Sequence, residues 1–185
     1  MFCDSYPITA YEDLGAGVYS LRVKAPQITA AAQPGQFVEI GVPGFSLRRP
    51  ISLCGIDPEK GEIRLVIADR GAGTHTLSTL REGDSIDLLG PLGTGFALPE
   101  PGAHVALVGG GIGTPPLLPL AERYRETCNA ILGYRGRDQV ILDVDFARFC
   151  DTVVCTDDGT YGVKGTVSPA LEALLQACRI DIVYA

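Results

Sequence analysis

The stretch Leu107-Val108-Gly109-Gly110-Gly111-Ile112-Gly113-Thr114-Pro115-Pro116-Leu117 constrains the fold more than any other part of the chain. The apolar run from Val105 to Val108 reads as a buried strand. It breaks into Gly109, Gly110, Gly111 and Gly113, then resumes as an apolar-periodic segment, Leu117 to Tyr124, that reads as a helix. That order sets bare backbone N–H groups at a helix N-terminus, where the macrodipole and the missing Cβ atoms favour a pyrophosphate. Pro115 and Pro116 suit a first helical turn, where an N–H has no helical partner. A glycine-rich turn also serves as a plain strand-to-helix connection, so both readings stand at this point.

The surrounding pattern favours a parallel sheet. The composition changes near Pro99-Glu100-Pro101-Gly102, and beyond it strands alternate with helices. After the strand from His104 to Val108 come a helix from Thr114 to about Glu126 and a strand at Ala130–Tyr134. A short helix at Val144–Cys150, a strand at Asp151–Thr156, a helical stretch at Val167–Ala177 and a strand at Asp181–Tyr184 follow. A βαβ series of this kind places the glycine turn at the carboxyl edge of the first strand, where such sheets bind ligands. The second strand ends in Tyr134-Arg135-Gly136-Arg137-Asp138 and lacks an acid at its tip for a ribose hydroxyl. Arg135 and Arg137 either meet an extra ribose phosphate or are solvated loop charges. Asp158, in Asp157-Asp158-Gly159-Thr160, either lines the site or makes a turn.

The first half reads differently. Period-two segments at Val18–Val23, Gln36–Ile40, Ile51–Leu53, Glu62–Ile67 and Ser85–Leu89 are divided by Ala25-Pro26, Gln33-Pro34-Gly35, Asp57–Gly61 and Glu82-Gly83-Asp84. Short strands at such spacing predict a small antiparallel barrel or sandwich. Thr74 can cap one short helix, Thr76–Leu80. Two stretches carry chemistry. In Arg48-Arg49-Pro50-Ile51-Ser52 a rigid guanidinium fork precedes a proline, and the hydroxyl of Ser52 falls on the same strand face as Pro50. In Asp69-Arg70-Gly71-Ala72-Gly73-Thr74-His75-Thr76, glycines and hydroxyls meet at a helix start and form a second anion cradle. Each alone reads equally as a surface arginine pair or a capped turn. Two cradles and the Arg49 fork together suit a ligand with more than one phosphate.

Composition narrows the class. A net charge of −7 over 185 residues argues against a general nucleic-acid surface, which needs clustered Lys and Arg. No run approaches a membrane span, and Met1-Phe2-Cys3-Asp4 lacks the features of a signal peptide, so a cytoplasmic protein without membrane insertion is expected. Cys3, Cys54, Cys128, Cys150, Cys155 and Cys178 fit no zinc or iron–sulfur spacing and read as reduced thiols used as small core residues. His75 and His104 are too isolated for a metal site, and no metal ligands are assigned. No Ser-His-Asp, Cys-His or paired-carboxylate arrangement competes with the phosphate cradles.

Taken in order, Arg49-Pro50-Ile51-Ser52, Gly90-Pro91-Leu92-Gly93-Thr94-Gly95-Phe96, Gly109 to Pro116 and Thr156-Asp157-Asp158-Gly159-Thr160-Tyr161-Gly162 resemble the ferredoxin–NADP reductase-like flavoprotein superfamily. Within it they are most similar to the electron-transfer subunits of dihydroorotate dehydrogenase B. The resemblance covers nearly the whole chain. It implies an N-terminal antiparallel FAD-binding β-barrel (1–98) followed by a Rossmann-like parallel α/β domain for NADH (99–185), the latter C-terminally incomplete. Arg49 would pair with the FAD pyrophosphate and Ser52 would sit at the reactive flavin nitrogen as the catalytic residue. Pro50 and Ile51 belong to the same motif, Val66, Ile67 and Ala68 would line the cofactor through their backbone, and Gly73 and Thr74 would cradle phosphate. Gly109, Gly110, Gly111, Gly113, Thr114 and Asp158 would hold the nicotinamide nucleotide.

The implied activity is FAD-dependent transfer of electrons from NADH to a partner, the catalytic subunit of dihydroorotate dehydrogenase in pyrimidine biosynthesis, within a hetero-oligomer. Alternatives are a ferredoxin–NAD(P) reductase-like subunit serving another acceptor, or a flavin-binding module without turnover. Members of the family continue into a Cys-Gly-Pro segment and a cysteine cluster for a [2Fe–2S] centre, and the expectation for this chain is that those ligands are absent.

Overall fold

The computed structural model describes residues 1–100 and 102–185, and divides them into two compact units, Met1–Phe96 and Ala97–Ala185. Pro101, inside the composition change noted above, lies outside the described residues.

In the first unit, β1 (Phe2–Gly15), β2 (Val18–Lys24), β3 (Phe37–Gly41), β4 (Arg49–Asp57), β5 (Glu62–Ala68) and β6 (Ser85–Leu92) close into an antiparallel barrel of order β1-β2-β5-β4-β3-β6. Closure removes the long sheet edges that an open sheet would have to protect. Alternation fills the inside: Leu21 and Val23 of β2, Val38 and Ile40 of β3, Ile63, Leu65 and Ile67 of β5, and Ile86 and Leu88 of β6 are buried in one cluster. Ile28 of α1 (Pro26–Ala31) and Leu77 of α2 (Ala72–Ser78) join it.

Two local expectations need correction here. Ala25-Pro26 is not a simple turn. Pro26 opens α1, where its fixed φ fits and its missing N–H costs nothing. Thr74 is not the cap of a helix at 76–80, because α2 begins at Ala72 with Gly71 as its cap. Thr74 sits one turn in, and its Oγ1 accepts from the N–H groups of Arg70 and Gly71 at 2.9 and 3.1 Å.

In the second unit, β7 (Val105–Gly110), β8 (Cys128–Tyr134), β9 (Asp151–Thr156), β10 (Val163–Lys164) and β11 (Ile182–Tyr184) form a parallel sheet of order β10-β9-β8-β7-β11. Helices α3 (Leu118–Tyr124), α4 (Asp143–Ala147) and α5 (Val167–Ala177) connect them. The chain leaves β7 toward β8 on one side and returns to β11 on the other. The carboxyl end of β7 is therefore a topological switch point. The expected continuous helix from Thr114 to about Glu126 is shorter. Two 3-10 turns, Gly111–Gly113 and Pro115–Leu117, precede α3, and a third follows it at Arg125–Thr127. Pro119 lacks the N–H that would bond to the Pro115 carbonyl in a helix begun at Thr114, so regular helix begins only at Leu118, with Pro119 in its first turn. Among the described residues no helix is long and apolar enough to cross a membrane.

Candidate functional site

Each unit carries a candidate site of its own. In the barrel the key feature is a break in the strand ladder. β4 and β5 pair from Asp57↔Glu62 to Leu53↔Leu65, and among the described residues their register goes no further. Beyond that point Arg49–Ser52 pair only with β3, and Val66–Ala68 only with β2. The backbone edges of these two segments are thus released from each other. Buried N–H and C=O groups demand partners, so an opening of this kind suits a ligand with hydrogen-bonding edges. Val66 and Ile67 are buried, at 4% and 0% exposure, and beyond Leu65 their backbone has no β4 partner in the ladder. On β4, Ile51 packs against the barrel core while Pro50 and Ser52 are exposed on the opposite face.

Arg49 is held at one end of this opening. Its Nη1 donates to the carbonyl of Leu47 at 2.6 Å, and its guanidinium carbon lies 5.2 Å from the centroid of the Phe45 ring. The guanidinium also lies against the first turn of α2. A Cβ on Gly73 would stand 2.6 Å from Nε and 2.7 Å from Nη2. Only glycine lets the guanidinium approach that turn, whose own N–H groups have no helical acceptor. α2 is fixed from below: the hydroxyl of buried Tyr19 donates to the Thr74 carbonyl at 2.8 Å. Burial, with the charge of Asp69 adding to it, pushes the Tyr19 phenol well above its ordinary range and keeps it a donor. His75 Nδ1 meets Asp69 Oδ2 at 2.8 Å on the exposed side. Sequence reasoning missed Phe45, Leu47 and Tyr19. The first two lie in an irregular exposed segment and the third reads as one more alternating strand residue.

In the sheet, Gly109, Gly110, Gly111 and Gly113 lie at the carboxyl end of β7 and play different parts. A Cβ on Gly109 would meet Thr114 Cγ2 at 2.9 Å and Leu117 Cδ1 and Thr114 Cα at 3.0 Å, so Gly109 lets the turn pack on its own strand. Gly111 has φ of +51°, a conformation glycine adopts without strain. At Gly111 and Gly113 a Cβ would meet nothing within 4 Å, and at Gly110 only the Gly133 carbonyl at 3.9 Å. These three leave the backbone open to a close ligand approach. Thr114 is fully buried, and its Oγ1 and N–H both donate to the Gly111 carbonyl, at 2.9 and 3.2 Å. Its side chain closes the turn from inside. Tyr134 braces the same turn at 3.5 Å from Thr114 Oγ1 and donates to the Ile141 carbonyl at 2.6 Å. Burial pushes the Tyr134 phenol up to about 12.

The loops after β8 and β9 meet at the same sheet edge. The N–H of Asp158 donates to the Arg135 carbonyl at 3.2 Å, and the N–H of Arg137 to Thr160 Oγ1 at 2.9 Å. Asp158 Oδ1 accepts from the hydroxyl and N–H of Thr160 at 2.7 and 2.9 Å, and these bonds hold its carboxyl below its ordinary range. Arg137 lies 5.7 Å from the Tyr161 ring, whose hydroxyl donates to Asp143 at 3.1 Å. A Cβ on Gly136 would fall 2.5 Å from Asp158 Oδ2, so the Arg-Gly-Arg spacing is what lets the two loops lie together. Among the described residues no three His, Cys, Asp or Glu side chains gather as a metal site.

No family model matches the chain. It is 41% identical over 181 residues to the electron transfer subunit of dihydroorotate dehydrogenase B (NAD(+)) of Bacillus cereus (strain B4264), covering 94% of this chain and 69% of that protein. The corresponding subunit of Streptococcus pneumoniae (strain ATCC BAA-255 / R6) is 37% identical over 188 residues, covering 98% and 72%. Among solved structures, an NADH-dependent reduced ferredoxin–NADP oxidoreductase superposes with a TM-score of 0.86 at 32% identity, over 96% of this chain and 66% of that one. With sequence and fold in agreement over nearly its whole length, the chain belongs to the dihydroorotate dehydrogenase B electron transfer subunit family.

Proposed function

We propose that this protein is an FAD-dependent electron-transfer subunit that accepts hydride from NADH and passes electrons to a dihydroorotate dehydrogenase catalytic subunit in the cytoplasm, serving pyrimidine biosynthesis. The observation that carries the FAD assignment is the barrel opening between Arg49–Ser52 and Val66–Ala68, with the Arg49 guanidinium seated on Gly73 at one end. Those residues fit the cofactor. Arg49 and the first turn of α2, with Gly73 and Thr74, hold the pyrophosphate. Backbone of Val66, Ile67 and Ala68 and of Pro50 and Ile51 meets the ring edges, and Ser52 faces outward to place its hydroxyl at the reacting nitrogen. FAD supplies the conversion between a two-electron donor and single-electron acceptors, and the protein supplies orientation and electrostatics.

NADH is held by backbone rather than by a charged side chain: Gly110, Gly111 and Gly113 offer close approach at the switch point, with Gly109 and Thr114 shaping the turn. Asp158 lines the neighbouring loop, where its carboxylate fixes the Thr160 turn. Among the described residues no three His, Cys, Asp or Glu side chains gather as ligands for an iron–sulfur centre. The test is an anaerobic titration of the FAD-reconstituted chain with NADH, followed by its visible absorption. Stoichiometric bleaching supports the assignment. A flavin that stays oxidised with NADH in excess overturns it.

A further inference from the structure

We propose that Cys128 and Cys150 form a reversible redox pair, closing to a disulfide across the amino-terminal edges of β8 and β9 when peroxide is present. The two residues are remote in sequence. The register brings them together. Asn129 pairs with Asp151, and one step back Cys128, the first residue of β8, stands opposite Cys150, the residue that leads into β9. Paired strands lie about 4.8 Å apart, so one step beyond the first registered pair the two Cα atoms stay near the separation that a disulfide spans. The two thiols also shift each other's titration in opposite directions, Cys128 up and Cys150 down.

The two sulfurs differ in a way that assigns roles. Cys150 is half-buried, at the end of the turn after α4, with Thr152 Oγ1 at 3.9 Å and the Phe146 carbonyl at 3.6 Å. Donation from the Cys128 thiol, aided by Thr152, lowers its pKa and favours the thiolate that attacks. Cys128 is buried behind it, and its pKa is raised by that same hydrogen bond and by desolvation. Buried Cys155 in β9 is raised by burial and has no such partner role, so it serves as an internal control.

The steps balance with hydrogen peroxide as the oxidant. The Cys150 thiolate sulfur attacks one peroxide oxygen, the O–O bond breaks, and hydroxide leaves and takes a proton to become water. This gives a sulfenic acid at Cys150. The Cys128 sulfur then attacks the Cys150 sulfur and the S–O bond breaks. Hydroxide leaves with the Cys128 proton as a second water. Two thiols lose two electrons in total, and the peroxide gains them.

The folded full chain would be treated with peroxide just above stoichiometry, quenched, alkylated under denaturing conditions and mapped by peptide mass spectrometry. The expected product is one cross-linked peptide pair joining Cys128 to Cys150, lighter by two hydrogens and cleaved by dithiothreitol, with Cys155 still alkylated. In Cys128→Ser, the expected product is a Cys150 sulfenic acid trapped by dimedone. Recovery of both cysteines as free alkylated thiols, while exposed Cys3 and Cys178 are consumed, overturns the proposal. The mapping on the unsubstituted chain decides the matter even if the variant fails to fold.

Discussion

Gly73 and Gly109 are both glycines because a Cβ would strike a neighbour, yet the neighbours differ in kind. At Gly73 the obstacle is the mobile end of Arg49, and at Gly109 it includes the backbone of Thr114. The barrel therefore uses glycine to seat a permanent positive charge on a helix turn. The sheet uses glycine to fold a turn tightly and then offers only backbone. A guanidinium fork combined with backbone donors suits a retained cofactor, whereas a backbone cradle suits a nucleotide that must leave after each turnover. That difference supports the proposed placement of FAD on the barrel and NADH on the sheet.

The contrast breaks most visibly at Gly73. In Gly73→Ala the methyl displaces a flexible side-chain end, and alanine is the better helix former by about 1 kcal/mol, so thermal stability is expected to hold or rise. FAD binding is expected to weaken by as much as removing Arg49 weakens it. Arg49→Ala should weaken FAD binding by roughly 30-fold, from about 2 kcal/mol of lost charge-assisted hydrogen bonding. A Gly73→Ala protein that keeps its flavin would mean that the guanidinium does not need that seat.

On the sheet side the next largest effect is in alkaline stability. Tyr134 is raised from 10.0 to about 12 by burial. The folded state therefore holds its proton more tightly than the unfolded state does. That contribution is complete below pH 10 and is lost as pH rises through about 12. Its size is about 2 to 3 kcal/mol. Urea unfolding at two alkaline pH values should show the loss in the unsubstituted chain and a flatter profile in Tyr134→Phe.

Gly109→Ala should cost about 1 to 3 kcal/mol of stability, since Thr114 Cα cannot swing aside. Gly113→Ala, with open space around it, should leave stability unchanged and raise KM for NADH instead. Equal behaviour of the two in unfolding and in NADH kinetics would erase the distinction drawn between packing and binding glycines. The smallest effect is expected at Ser52. Ser52→Ala removes one exposed hydroxyl, so FAD affinity should be kept while flavin reduction by NADH slows about 10-fold.

The sequence pattern made the barrel strands, the parallel series and both cradles legible, because alternation and glycine clusters are local signals. β1 was hidden. Its fourteen residues include Asp4, Pro7 and a register shift between Ile8 and Ala10, which blur the period-two pattern that Tyr6 and Ile8 begin. α1 was hidden by Pro26, which reads as a turn when it in fact starts a helix. The site was legible as residue types and not as geometry. Nothing near Arg49 announces that Gly73 receives its guanidinium, and nothing near Cys128 announces Cys150, since both pairings exist only once the strands are in register.

The most direct measurement is an FAD binding titration of the apo chain beside Arg49→Ala and Gly73→Ala, with the melting temperature of each recorded. The expected result is stoichiometric FAD on the unsubstituted chain, binding weaker by roughly 30-fold in both variants, and melting temperatures that do not fall. FAD bound equally by all three would contradict the placement of the cofactor on the Arg49–Gly73 seat.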